Sequence, residues 1–242
     1  MNNLYGKNEL GFSLMVIGLY VVMTSLADSF SASLGTEKII TAPLHVFMTV
    51  AIARWVFKSG LAEKYGIKKI KIDYKKYLYF LPLAVIASVN LWNGVALRLS
   101  VLESVLYVVS MLCVGFLEEI IFRGFLFKAL CKTNVRRAIV ISSVTFGIGH
   151  IVNLLNGRAT LETLLQVCYA VAIGFLFTII FNKTKSLLPC IVTHGALNSM
   201  SAFGVEGSDS YQIVVAIVLT LVSLLYAGWI IKAERGPWPE TE

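Results

Sequence analysis

Residues 101–127 read VLESVLYVVSMLCVGFLEEIIFRGFLF, an apolar run that carries Glu118, Glu119 and Arg123 deep inside it. A helix crossing the hydrocarbon core of a bilayer needs ~20 mostly apolar residues, and this stretch supplies them. Ionisable groups within such a span are expensive and by default mark a functional site. One segment therefore raises two questions, how the chain threads a membrane and what its buried charges do.

The rest of the chain answers the first. It has 242 residues, 57% of them hydrophobic and only 14% charged, with a mean hydropathy of +0.77. A soluble domain is about a quarter charged. The composition excludes a disordered chain, a soluble nucleic-acid binder and an ordinary cytosolic enzyme. No nucleic-acid partner is expected from the net charge of +7, because basic residues in a membrane protein mainly set topology. The four cysteines show no C-x-x-C spacing and no disulfide framework; Cys131, in a basic loop, is the one candidate for acylation.

Apolar segments at 11–31, 39–57, 77–97, 101–127, 138–155, 161–181, 186–203 and 211–231 predict about eight transmembrane helices. The expected fold is an all-α, polytopic helical bundle, a single integral membrane domain over residues 1–242. The first segment, with Lys7 before it and Ser31-Ala32-Ser33 after it, has the outline of a signal peptide. Its apolar stretch exceeds the ~7–15 residues of a signal core, so it reads as a retained anchor. Charge tests the threading. Alternate loops hold Lys7; Lys58 to Lys76; Lys128, Lys132, Arg136 and Arg137; Lys183 and Lys185; Lys232 and Arg235, whereas the opposite loops hold only Lys38, Arg98 and Arg158. That bias predicts a cell-membrane protein with both termini in the cytoplasm. The lysine-rich segment 67–77 reads either as a surface element on the anionic inner leaflet or as a solvated connection.

Depth follows from helix rise. Glu118 is ten residues from Lys128, His150 thirteen from Arg137 and His194 nine from Lys185, which places all three ~14–20 Å from the cytoplasmic edge. Three spans, the fourth, fifth and seventh, thus bring ionisable groups to one layer, and these spans are the expected core of the site. Glu119 and Arg123 stand at i and i+4, acid first, and can pair. Glu118 is rotated ~100° from that pair, and an unpaired carboxylate in a low-dielectric site suits a general base. His194 and Asn198 share a face at i and i+4 as donors for an oxyanion. Gly147 and Gly149 allow close approach of a neighbouring helix, expected to bring His150 towards the fourth span. His45, Asp28, Asn90, Asn93, Glu103 and Asn153 read as interfacial or helix-packing residues, and Pro189 as a helix start.

Among hydrolytic chemistries, H-E-x-x-H is absent, G-x-S-x-G is absent although Ser142 and Ser201 remain open, and the aspartates Asp28, Asp73 and Asp209 are not central. A glutamate with two histidines and an asparagine remains, able to activate water directly or through a metal.

Glu118-Glu119-Ile-Ile-Phe-Arg123 is E-E-x-x-x-R, Phe146-Gly-Ile-Gly-His150 is F-x-x-x-H, and His194-Gly-Ala-Leu-Asn198 is H-x-x-x-N. In this order and spacing they resemble the CAAX-protease and bacteriocin-processing (Abi) family of intramembrane endopeptidases, type II CAAX prenyl endopeptidases included. The resembling core covers about residues 77–205. The resemblance implies cleavage of a peptide or prenylated protein near the cytoplasmic face. Glu118 with His150 would activate water, His194 and Asn198 would hold the oxyanion, and Glu119 with Arg123 would support the site. No obligatory cofactor is expected; if zinc is present, Glu118, His150 and His194 are its ligands. Two alternatives stand beside this reading: a non-catalytic peptide-binding immunity or scaffold protein, and a proton-coupled transporter.

Overall fold

The computed structural model describes residues 2–67, 80–155, 157 and 159–233. Most of the lysine-rich segment 67–77, together with Arg158 and Arg235, lies outside the described residues.

The chain is all-helical, with no strand among the described residues. A short α1 (Asn2–Lys7) leads into α2 (Glu9–Ser33) and α3 (Thr41–Lys58). Then come α4 (Leu81–Ser88) with a 3-10 turn at Val89–Leu91, and α5 (Val101–Glu119), which runs unbroken into a π-helical segment (Ile120–Phe127) and α6 (Lys128–Cys131). The last five helices are α7 (Val135–Gly149), α8 (Val152–Leu155), α9 (Thr160–Thr184), α10 (Leu188–Met200) and α11 (Asp209–Ala233). Helix starts carry their expected signals. The Asn8 side chain accepts from the Gly11 amide at 2.8 Å, and Asn134 accepts from Arg137 at 2.9 Å. Ser100 and Glu103 form a reciprocal capping box at the head of α5.

Among the described residues, five helical stretches are long and apolar enough to span a bilayer: Glu9–Ser33, Val101–Cys131, Val135–Leu154, Thr160–Thr184 and Asp209–Ala233. The molecule is a multi-pass membrane protein. The other three expected spans take a different form. Segment 39–57 is α3, 18 residues long, but it contains His45, Arg54 and Lys58. Segments 77–97 and 186–203 contain the short helices α4 and α10 (13 residues), the latter ~20 Å long by helix rise. A proline opens each of them. Beyond these helices the chain forms loops that are tied to each other: Ala96 N–H donates to Phe203 O at 2.8 Å and Val205 N–H to Gly94 O at 3.1 Å. The Asn90 side chain reaches the Leu197 carbonyl at 2.7 Å. These bonds pair part of the non-helical backbone of the two loops, although Val95 and Leu97 remain exposed.

In the bundle, α9 packs between α7 and α11, and α10 lies along α5 with α4 on its flank. The centre is built from Leu117, Ile120 and Ile121 of the α5 rod with Leu176, Phe177, Ile179 and Ile180 of α9, all fully buried. Large side chains such as Phe47, Val192 and Leu225 face outward, as a lipid solvent permits.

Candidate active site

Two glycines set the spacing between α5 and α10. A Cβ on Gly115 would come within 2.6 Å of the Gly195 backbone nitrogen and 2.9 Å of the Ile191 carbonyl. Backbone therefore meets backbone, one helical turn before the two glutamates and next to His194. The close approach lets one imidazole reach both carboxylates: His194 Nδ1 is 2.9 Å from Glu119 Oε1, and its Nε2 is 3.5 Å from Glu118 Oε2.

Glu119 is fully buried and also accepts from Arg123 Nη1 at 3.0 Å, the i, i+4 pair read from the sequence. Arg123, equally buried, lays its guanidinium 4.0 Å from the centre of the Phe146 ring. Gly174 of α9 leaves the room, since a Cβ there would stand 3.0 Å from Arg123 Nη2. With a carboxylate accepting at Nδ1, that nitrogen of His194 carries the hydrogen, and Nε2 is the atom presented to Glu118.

The expectation that Glu118 lacks a partner is not met. Its Oε1 accepts a hydrogen bond from the Tyr20 hydroxyl at 2.8 Å, across 98 residues of sequence. Among the described residues its Oε2 has no hydrogen-bond partner. Nothing in residue spacing announces Tyr20. The available signal was the polar series Tyr20, Thr24 and Asp28, one residue per turn along α2.

His150 does not lie within a regular helix: it caps the C-terminus of α7. There its Nδ1 lies 3.1 Å from the Phe146 carbonyl, one of the terminal acceptors a helix leaves unsatisfied. A carbonyl can only accept, so Nδ1 donates and Nε2 remains a bare acceptor. Gly147 meets Val167 and Val171 of α9 rather than the α5 rod, and Gly149 faces open space. Close packing by Gly147 thus seats α7 on α9.

Two cavities meet at Phe146 and His150, which line both. The first, about 110 Å³, is bounded by Tyr20, Asp28, Glu118 and Asn153. The second, about 80 Å³, is bounded by Asn90, Gln166, His194 and Asn198. Asp28, Asn90 and Asn153, read from sequence as packing residues, therefore also line cavity walls. Glu103 remains a cap, and Asn93 donates to the carbonyls of Val205 and Glu206. The serine alternatives are bonded to backbone: Ser142 donates to Phe122 O at 2.9 Å and Ser201 to Asn198 O at 2.6 Å. Among the described residues no three His, Cys, Asp or Glu side chains are grouped as a metal ion requires. The set Glu118, His150 and His194 thus does not fit zinc in this arrangement. All four cysteines are free thiols.

Residues 100–200 match the family model described as Rce1-like, type II CAAX prenyl endopeptidase. All three motifs fall inside the match, which covers residues 100–200 of the 242. No curated protein matches the chain.

Proposed function

We propose that the protein is an intramembrane endopeptidase that hydrolyses a peptide bond of a membrane-associated peptide or prenylated protein, using water activated by glutamate and histidine. The observation that carries the reading is the chain Arg123–Glu119–His194–Glu118 beside a cavity that Glu118 and His150 both line. An ion pair supports one side of an imidazole, and a carboxylate with a vacant oxygen stands at the other.

On this reading water sits between Glu118 Oε2 and the bare Nε2 of His150, which orient it, and Glu118 takes its proton as the hydroxide attacks the carbonyl. The proton can move on from Glu118 to His194 Nε2, and the resulting imidazolium donates to the oxyanion together with the Asn198 amide. Glu119, fixed by Arg123, keeps the imidazole oriented throughout, as an orienting carboxylate does in other hydrolases. Collapse of the tetrahedral species returns the proton to the leaving nitrogen, and no metal is required. The reading includes about eight spans, both termini in the cytoplasm and a substrate cleaved near that face. Prenylated CAAX proteins, bacteriocin leaders and peptide pheromones all have suitable chemistry.

The test is Glu118→Gln, which keeps shape but removes the base. Purified in vesicles with a farnesylated peptide, it should cleave at least ~10²-fold more slowly than wild type, with normal folding. Wild-type-like cleavage would remove Glu118 from the mechanism. Comparing cellular peptides and prenyl-protein tails with and without this variant would identify the substrate, whereas an unchanged peptide population would favour a binding protein.

A further inference from the structure

We propose that Tyr20 is a positioning residue for the catalytic glutamate, so that the site includes α2, outside the residues that match the protease family. The inference rests on the role proposed for Glu118. A carboxylate at the end of a glutamate side chain turns about a broad, two-fold torsion, and its two oxygens are equivalent until something distinguishes them. Tyr20 distinguishes them. Its hydroxyl donates to Oε1 at 2.8 Å, which leaves Oε2 without a partner and 3.5 Å from His194 Nε2. One oxygen is tethered and the other is held towards the chemistry.

The tether is itself braced. Tyr20 is almost fully buried, and its ring stacks on His45 of α3, with centroids 6.1 Å apart and planes at 28°. His45 is held at both ring nitrogens, by Thr24 at 3.1 Å and by Ser110 at 2.9 Å. Ser110 lies on α5, two turns before Glu118. Thr24 lies on α2, one turn beyond Tyr20. The Tyr20–His45 unit is thus bonded to α5 at two points ~12 Å apart along its axis. Rotation of α2 that would withdraw the hydroxyl from Glu118 must also break the Thr24–His45 bond. A tyrosine present only to fill space would need neither the bond to Glu118 nor the brace behind it.

The experiment compares three forms of the protein in vesicles, with kcat and KM measured per folded molecule. Tyr20→Phe keeps the ring and its stack and loses only the donor. Its kcat should fall by ~10-fold or more with KM unchanged, the signature of a misplaced reacting group. Substituting 3-fluorotyrosine at position 20, which retains the donor, should restore kcat. Glu118→Gln is measured alongside. If Glu118→Gln is inactive but Tyr20→Phe turns over like wild type, the positioning role is overturned and the catalytic reading stands. A fall only in the amount of folded protein, with kcat per folded molecule unchanged, or a failure of the fluorinated residue to restore the rate, also overturns it. If Glu118→Gln itself cleaves normally, the catalytic reading fails and this inference with it.

Discussion

At the scale of single residues, the site depends on one buried ion pair. Arg123 and Glu119 are both fully buried, and removing one partner of such a pair typically costs about 3–5 kcal/mol because the other is left uncompensated. Glu119→Gln should therefore lower the yield and thermal midpoint of the detergent-purified protein, whereas Glu118→Gln should leave both near wild type. Normal folding of an inactive Glu119→Gln, paired with an active Glu118→Gln, would show that the roles of the two carboxylates are reversed. The i, i+4 spacing made the ion pair legible, since helix geometry alone brings those side chains together. His194 and Asn198 were legible in the same way, and both line the second cavity. The bond from Tyr20 to Glu118 and the seat of Arg123 on Phe146 were not legible. They join residues distant in sequence, and a tyrosine or phenylalanine in an apolar helix carries no mark of what its edge or hydroxyl will touch.

At the scale of helices, hydropathy locates apolar runs but not the place where backbone leaves the helix. That is why the long spans could be read, whereas α4 and α10 proved shorter than the segments that contain them. Their ends are fixed by Asn90 and by the paired loops at 94–96 and 203–205, contacts that no local pattern encodes. The π-helical turn at Ile120–Phe127 was equally invisible. Glycines carry the contact that matters most for the site. Gly115→Val would drive methyl groups into the Gly195 backbone and separate α5 from α10. A shift of ~1 Å can lower turnover by ~10²-fold. Cleavage should fall to that extent, while circular dichroism still reports an intact helical bundle. Retained activity would mean that the two helices need not touch at this point.

At the scale of the whole molecule, the positive-inside bias and the depth of the polar layer predict how the bundle sits in the bilayer. Single cysteines on a Cys-less background test the threading. Leu188→Cys or Ile191→Cys should react with an impermeant thiol reagent from the cytoplasm, and Ser208→Cys only from outside. Labelling of Ser208→Cys from the cytoplasm would invert the orientation, and the cytoplasmic substrate class would go with it. Removal of metal tests the chemistry at the same scale. Exhaustive chelation should leave cleavage intact, with no stoichiometric zinc by elemental analysis. Zinc retained at one per chain, lost in His194→Ala and restored together with activity, would overturn metal independence. The wall formed by Phe146 and His150 between the two cavities has a consequence for traffic. Glu118, the base of the proposed mechanism, lines one chamber, and Asn198, its proposed oxyanion donor, lines the other. On the proposed reading, a peptide cut between them would leave one fragment beside each chamber.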